Sequence, residues 1–229
     1  MILTLLQVDA QAVISQESAP LSLIDLAVKG GWLMIPLLLL SIIALYIIGE
    51  RWHTIRKASK QDQHFMANIK DFIAEGKLSS AKHLCRTQSS PTARFVEKGL
   101  EQIDRPIADI HISLENVGNL EIARLERTLP MLATIAGGAP MVGFLGTVIG
   151  MVQAFYNMAQ AGNNVDITLL SGGIYTALVT TVAGLIVGIT AYFGYNYLSA
   201  KIGTIMHLME RNIIDFIEMV REIHHKEKS

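Results

Sequence analysis

Charge is scarce in this sequence, and its absence is concentrated. No Asp, Glu, Lys or Arg lies between Lys29 and Glu50, between Arg127 and Asp166, or between Asp166 and Lys201, gaps of 20, 38 and 34 residues. Charged residues make up 17% of the 229 positions and hydrophobic ones 51%. A soluble domain carries about 25% charged residues. Mean hydropathy is +0.38, which excludes disorder as the main state. The single cysteine, Cys85, excludes a disulfide framework within one chain and any multi-cysteine metal or iron–sulfur site. A net charge of −1 gives no global attraction to nucleic acid.

What is present is three long apolar runs. A helix needs roughly 20 apolar residues to cross the hydrocarbon core, so the fold class is an all-α integral membrane protein with three transmembrane helices. The sequence divides into an external or interfacial segment (1–30), helix one (31–49), a cytoplasmic helical unit (50–128), helix two (129–158), a short external loop (159–167), helix three (168–199) and a cytoplasmic C-terminal helix (200–229). Basic residues fix the orientation. Thirteen of the nineteen Lys and Arg lie from Arg51 to Arg127 and five from Lys201 onward. The N-terminus is therefore expected outside and the C-terminus inside. Residues 1–12 lack a basic start and read as an interfacial helix or frayed end rather than a signal peptide. Residues 20–29 read as a helix lying on the outer membrane surface.

The three spans differ in kind. Span one is mostly Leu and Ile, with Trp32 and Tyr46 near its ends, and reads as lipid-facing. Spans two and three are rich in Gly, Ala, Ser and Thr. Small residues let membrane helices approach closely, and Gly143, Gly146, Gly150, Gly184 and Gly188 form the expected packing set. Pro140 interrupts span two. Beyond Lys201, the stripe Ile202, Ile205, Met206, Met209, Ile213, Phe216, Ile217 and Val220 is expected to pack on the helix over 107–128, whose Glu121, Arg124, Glu126 and Arg127 read as its charged positions.

No carboxylate, lysine, arginine or histidine lies inside any span. A protein that moved protons alone would place one at membrane depth. The polar groups there are mainly hydroxyls: Thr134, Thr147, Thr176, Thr180, Thr181 and Thr190. Thr147, Thr176, Thr180 and Thr181 are the candidate lining of a wet path, because hydroxyls both donate and accept hydrogen bonds. The competing reading is that each bonds back to its own helix. Asp25, Glu50, Arg51 and Asp166 read as solvated interface residues. His224 and His225 are too short a cluster for a metal site. Neither a cofactor nor a catalytic constellation is indicated, so the chain reads as a non-enzyme.

Residues 132–136 (Leu-Ala-Thr-Ile-Ala), 139–151 (Ala-Pro-Met-Val-Gly-Phe-Leu-Gly-Thr-Val-Ile-Gly-Met) and the run Gly172-Gly173-Ile174-Tyr175-Thr176-Ala177-Leu178-Val179-Thr180-Thr181-Val182-Ala183-Gly184-Leu185 resemble the signature of the ExbB/TolQ/MotA family, and its ExbB branch most. The resemblance implies a homo-oligomeric ring, a pentamer, in the bacterial inner membrane. Spans two and three would line a pore holding ExbD-type single-span helices, each bringing an essential Asp. The assembly would use the proton-motive force to work a TonB-type protein. Thr147 and Thr181 match the family's pore threonines. Thr176 stands where ExbB and TolQ commonly carry Glu, so no charge relay is implied there, and the driving ion, proton or sodium, stays open. A TolQ-like or other stator subunit of the same family, a non-conducting scaffold and an autonomous channel are the rival readings.

Overall fold

The computed structural model describes residues 30–59, 64–88, 90–160 and 167–226. The expected surface helix over 20–29 and the turn within the 159–167 loop lie outside the described residues. Among these residues there are seven helices and no strand. They are α1 (Met34–Ala58), α2 (Phe65–Ala74), α3 (Leu78–Thr87), α4 (Pro91–Glu101), α5 (Ile107–Glu126), α6 (Leu129–Gln160) and α7 (Ile167–Lys226). Three stretches are long and apolar enough to cross a membrane: Met34–Ala58, Ile107–Gln160 and Leu170–Ile223.

Two compact units divide the chain. One comprises Met1–Leu39 and Ala139–Ile186, the other Leu40–Gly138 and Val187–Ser229. In the first, α6 and α7 pack along a line of small residues. α6 is a single helix through Pro140, so the expected interruption there is corrected. Proline removes one backbone hydrogen bond, and neighbouring helices re-satisfy such groups in membranes.

The second unit is organised by local signals. Gly76 has φ +73°, and Lys77 N–H reaches the Phe72 carbonyl at 2.8 Å, a left-handed glycine closure that ends α2. Ser90 caps α4 by accepting from Ala93 N–H at 3.2 Å, with Pro91 in the first turn where its missing N–H costs nothing. Phe65, Ile69, Ala81, Cys85, Phe95, Val96, Leu100, Ile110 and Leu114 are buried. The end of α7 packs on this core. A Cβ at Gly118 would touch Ile213 at 3.7 Å and Met209 at 3.8 Å, and one at Gly99 would collide with the Phe216 ring. Of the stripe read from the sequence, Met206 falls outside, at 37% exposure, while the other seven residues are buried.

Among the described residues two charged side chains are buried, and of these Arg51 departs from the solvated position expected for it. Glu121 is buried and is held by Arg94 at 2.6 Å and by Arg124. Burying a carboxylate is costly unless it is paired, and both guanidiniums reach it from more exposed stems. Arg51 is buried as well. It pairs with Glu50 at 2.8 Å and donates to the carbonyls of Arg124 at 3.0 Å and Leu125 at 3.3 Å. Those carbonyls end α5, where a helix carries unsatisfied acceptors and a partial negative charge. Arg127 keeps helical angles, so only Arg127 and Thr128 separate α5 from α6.

Candidate functional site in the α6–α7 seam

Helix spacing builds the site. Ala139, Gly143, Gly146, Gly150 and Ala154 recur at three and four residues along α6, and Gly173, Ala177, Thr180 and Gly184 do so along α7. With nothing larger than these on the facing stripes, the backbones meet. A Cβ added at Gly184 would stand 2.6 Å from the Ala139 carbonyl and 2.9 Å from the Gly143 Cα. At Gly150 it would stand 2.8 Å from the Ala177 Cβ and 3.0 Å from the Gly173 carbonyl. At Gly173 it would stand 2.6 Å from the Ala154 Cβ. Of the expected set, Gly143, Gly146, Gly150 and Gly184 all lie where an added Cβ would press on the facing helix. Gly173 belongs to the same line, and sequence reasoning passed over it, although its four-residue spacing from Ala177 signalled it. Gly188 is buried in the other unit. Pro140 is partly buried one position from the seam residue Ala139.

The threonines separate into three environments. Thr180 is 1% exposed. Its side chain fills the space beside Gly146, and its hydroxyl donates to its own helix, 2.8 Å from the Ala177 carbonyl. In the chain it is a packing residue. Thr176 lies on one flank of the seam, its Cγ2 3.8 Å from a Cβ position at Gly31, just ahead of α1. Thr147 and Thr181 fall on the other flank. Successive residues turn by about 100°, so each follows a seam residue, Gly146 or Thr180, by one step. On antiparallel helices facing each other those steps emerge on the same side. Thr176 and Thr180 are thus not brought together with Thr147 and Thr181.

The two flank hydroxyls share a chemical state. Thr181 Oγ1 lies 3.0 Å from the Gly143 carbonyl across the seam and 3.4 Å from the Ala177 carbonyl of its own helix. Thr147 Oγ1 lies 2.5 Å from the Phe144 carbonyl. Carbonyls only accept, so each hydroxyl proton is committed to backbone. What remains to a visitor is the oxygen lone pairs. Such a site accepts a hydrogen bond from water or from a protonated acid, or offers oxygen to a small cation. It donates to a carboxylate only after a hydroxyl rotates away from its carbonyl. Thr134 bonds back to Pro130 at 2.9 Å and faces outward. Among the described residues no group of His, Cys, Asp and Glu is placed to hold a metal.

The profile of the MotA/TolQ/ExbB proton channel family matches residues 87–211, which covers α4 through most of α7 and so the whole seam. This chain belongs to that family. A Synechocystis protein described as a putative biopolymer transport protein ExbB-like 1 is 32% identical over 179 residues, spanning 77% of this chain and 70% of the relative. The Tol-Pal system protein TolQ of Haemophilus influenzae is 28% identical over 225 residues, 92% of this chain and 96% of the relative. The biopolymer transport protein ExbB of Neisseria meningitidis serogroup A is 27% identical over 177 residues, 71% and 79% respectively. As a MotA/TolQ/ExbB member the chain is a multi-pass membrane protein of a proton channel family, and the glycine seam with its flanking hydroxyls lies inside the matched region.

Proposed function

We propose that the chain is the ring subunit of an ion-motive-force-driven motor in the bacterial inner membrane. With an ExbD-type single-span partner it energises a TonB-type protein for outer-membrane transport. Five copies would enclose a pore lined by α6 and α7, with the Arg51–Arg127 segment in the cytoplasm, as its basic residues favour.

One observation carries the reading. The apolar spans hold two hydroxyl oxygens on one flank of a seam and no carboxylate, lysine, arginine or histidine of their own. A carboxylate brought by a partner is costly at membrane depth when ionised. Thr147 and Thr181 receive its neutral, protonated form as acceptors, with no rearrangement. Losing the proton turns the visitor into an acceptor and removes that fit, so deprotonation drives it off the threonines, toward water or the next subunit. Each elementary charge crossing releases about 2.3 kcal/mol per 100 mV, several times thermal energy at ordinary potentials. Thr147 and Thr181 form the ion path, the glycines hold the wall, and Thr176 and Thr180 contribute to packing.

The test is energised uptake by cells carrying Thr147→Ala with Thr181→Val at wild-type protein level. Loss of uptake supports the reading, and normal uptake overturns it. A TolQ-like role within the same family is the second reading, favoured because the TolQ relative aligns over nearly the full length of both chains. Co-purification separates them: a TonB-type protein captured with the ring supports the first, and a Tol-Pal component supports the second.

A further inference from the structure

Within the larger unit a cavity stands apart from the seam. It has a volume of about 430 Å³ and is lined by Trp52, Ile55, Arg56, Ser59, Tyr197, Leu198 and Lys201. Its floor is apolar, since Ile55 and Leu198 are buried. Its walls are the rings of Trp52 and Tyr197, stacked at 5.2 Å with planes 14° apart, and both nearly half exposed. Its rim is cationic. Arg56 and Lys201 have no carboxylate partner among the described residues, and Lys201 Nζ lies over the Tyr197 ring, 5.8 Å from its centroid. Ser59 adds a hydroxyl.

The position of this cavity along the helices identifies its ligand class. Trp52 follows the first charges after the apolar run of α1, at Glu50 and Arg51. Tyr197 precedes Lys201, the first charge after the apolar run of α7. The ring stack puts these two boundaries at one level. A Trp–Tyr pair where apolar helix gives way to charge is the composition of a membrane–water interface, and a long basic stem there lays its carbons on apolar surface while its head reaches water. An apolar floor below and two unneutralised cations above suit an amphiphile with an anionic head. The volume is of the order that holds a small ligand, roughly 300–1,000 Å³.

We propose that this cavity binds an anionic phospholipid of the leaflet bordering the 51–128 segment, with its phosphate between Arg56, Lys201 and Ser59 and its glycerol and upper acyl carbons against Ile55, Leu198 and the ring pair. A phosphate free in water would meet the same cations. It would gain nothing from the apolar floor, which is why the lipid is the source assigned. The lipid would fill the gap between α1 and α7 where these helices leave the membrane, and so brace span one against span three in a leaflet-dependent way.

The chain carries two tryptophans, which makes a direct test available. In a Trp32→Phe background, Trp52 is the sole indole reporter. The full chain is reconstituted in phosphatidylcholine nanodiscs doped with phosphatidylglycerol whose acyl chains are brominated, and Trp52 quenching is read. Quenching well above that given by brominated phosphatidylcholine at equal dose is expected. It should fall by about fivefold in apparent affinity for each charge removed by Arg56→Gln and Lys201→Gln, and survive Arg56→Lys with Lys201→Arg. Both positions are exposed, so these variants keep the fold, and an unchanged elution profile verifies it. Equal quenching by the two lipids, or quenching unchanged in the double Gln variant, overturns the proposal. So does displacement of the brominated lipid by inorganic phosphate at the same ionic strength, which would make the site one for the free anion.

Discussion

The Thr181 hydroxyl donates to the Gly143 carbonyl of the facing helix at 3.0 Å, which joins a side chain of α7 to the backbone of α6 within the glycine seam. The bond exists because Gly143 has no side chain: a Cβ there would stand 3.1 Å from the Thr181 Cα. Close packing and polar chemistry are therefore one feature, since the approach that glycine permits is what presents a carbonyl to the threonine.

Replacing Thr181 by valine removes the bond while keeping the shape. Interhelical hydrogen bonds in membranes average about 0.6 kcal/mol, and Thr181 keeps helical packing in either form. Thermal stability in detergent should fall only slightly, while energised transport falls to background. A large stability loss would mean that Thr181 acts as a structural tie.

Glycines that look alike in sequence should behave oppositely. Gly184→Leu or Gly150→Leu forces backbone apart, and overpacking costs typically 1–3 kcal/mol or more. Limited proteolysis should show loss of the protected core. Gly138→Ala and Gly172→Ala, where a Cβ meets nothing within 4 Å, should be neutral or slightly stabilising, because alanine favours helix by about 1 kcal/mol over glycine.

Arg51→Ala should destabilise the larger unit by about 2 kcal/mol, the scale of a hydrogen bond to a charged group. It strands the Arg124 and Leu125 carbonyls and takes from Glu50 its guanidinium partner. Arg51→Lys should recover part of that, because lysine supplies one point of charge in place of a fork. The check is a denaturation profile of the purified chain in detergent.

Burial pushes the Cys85 thiol up to about 12, and the nearby Glu97 carboxylate adds to the effect. The thiolate is the reactive form, so the native protein should resist iodoacetamide at pH 8 and react promptly once unfolded. The same shift predicts a pH effect. Between the unfolded value near 9 and the folded value near 12, the unfolded state holds fewer protons than the native one, so stability falls as pH rises through that window. Cys85→Ala should flatten part of the fall.

Much of this was legible in the sequence because membranes amplify simple signals. Gaps without charge located the long apolar helices, and the three- and four-residue spacing of Gly and Ala located the seam. The distribution of the threonines was not legible. Thr176 and Thr180 share a helical face by spacing, yet Thr180 fills a glycine notch and Thr176 turns toward the start of α1, because the partner helix decides which side of a face is covered. Arg51 reads as a solvated interface charge and Glu121 only as a charged position of its helix, since nothing local announces that a distant helix end or guanidinium will close over them. Pro140 read as an interruption, but α6 is continuous through it.

If this chain supplies a neutral, hydroxyl-bearing wall, the acid must come from a partner. Ion flux through proteoliposomes containing the chain alone, and the chain with its co-purified single-span partner, tests it most directly. Flux under an imposed potential is expected only with the partner, and is expected to vanish when the partner's membrane Asp is changed to Asn. Flux through the chain alone, or flux unaffected by that change, would contradict it.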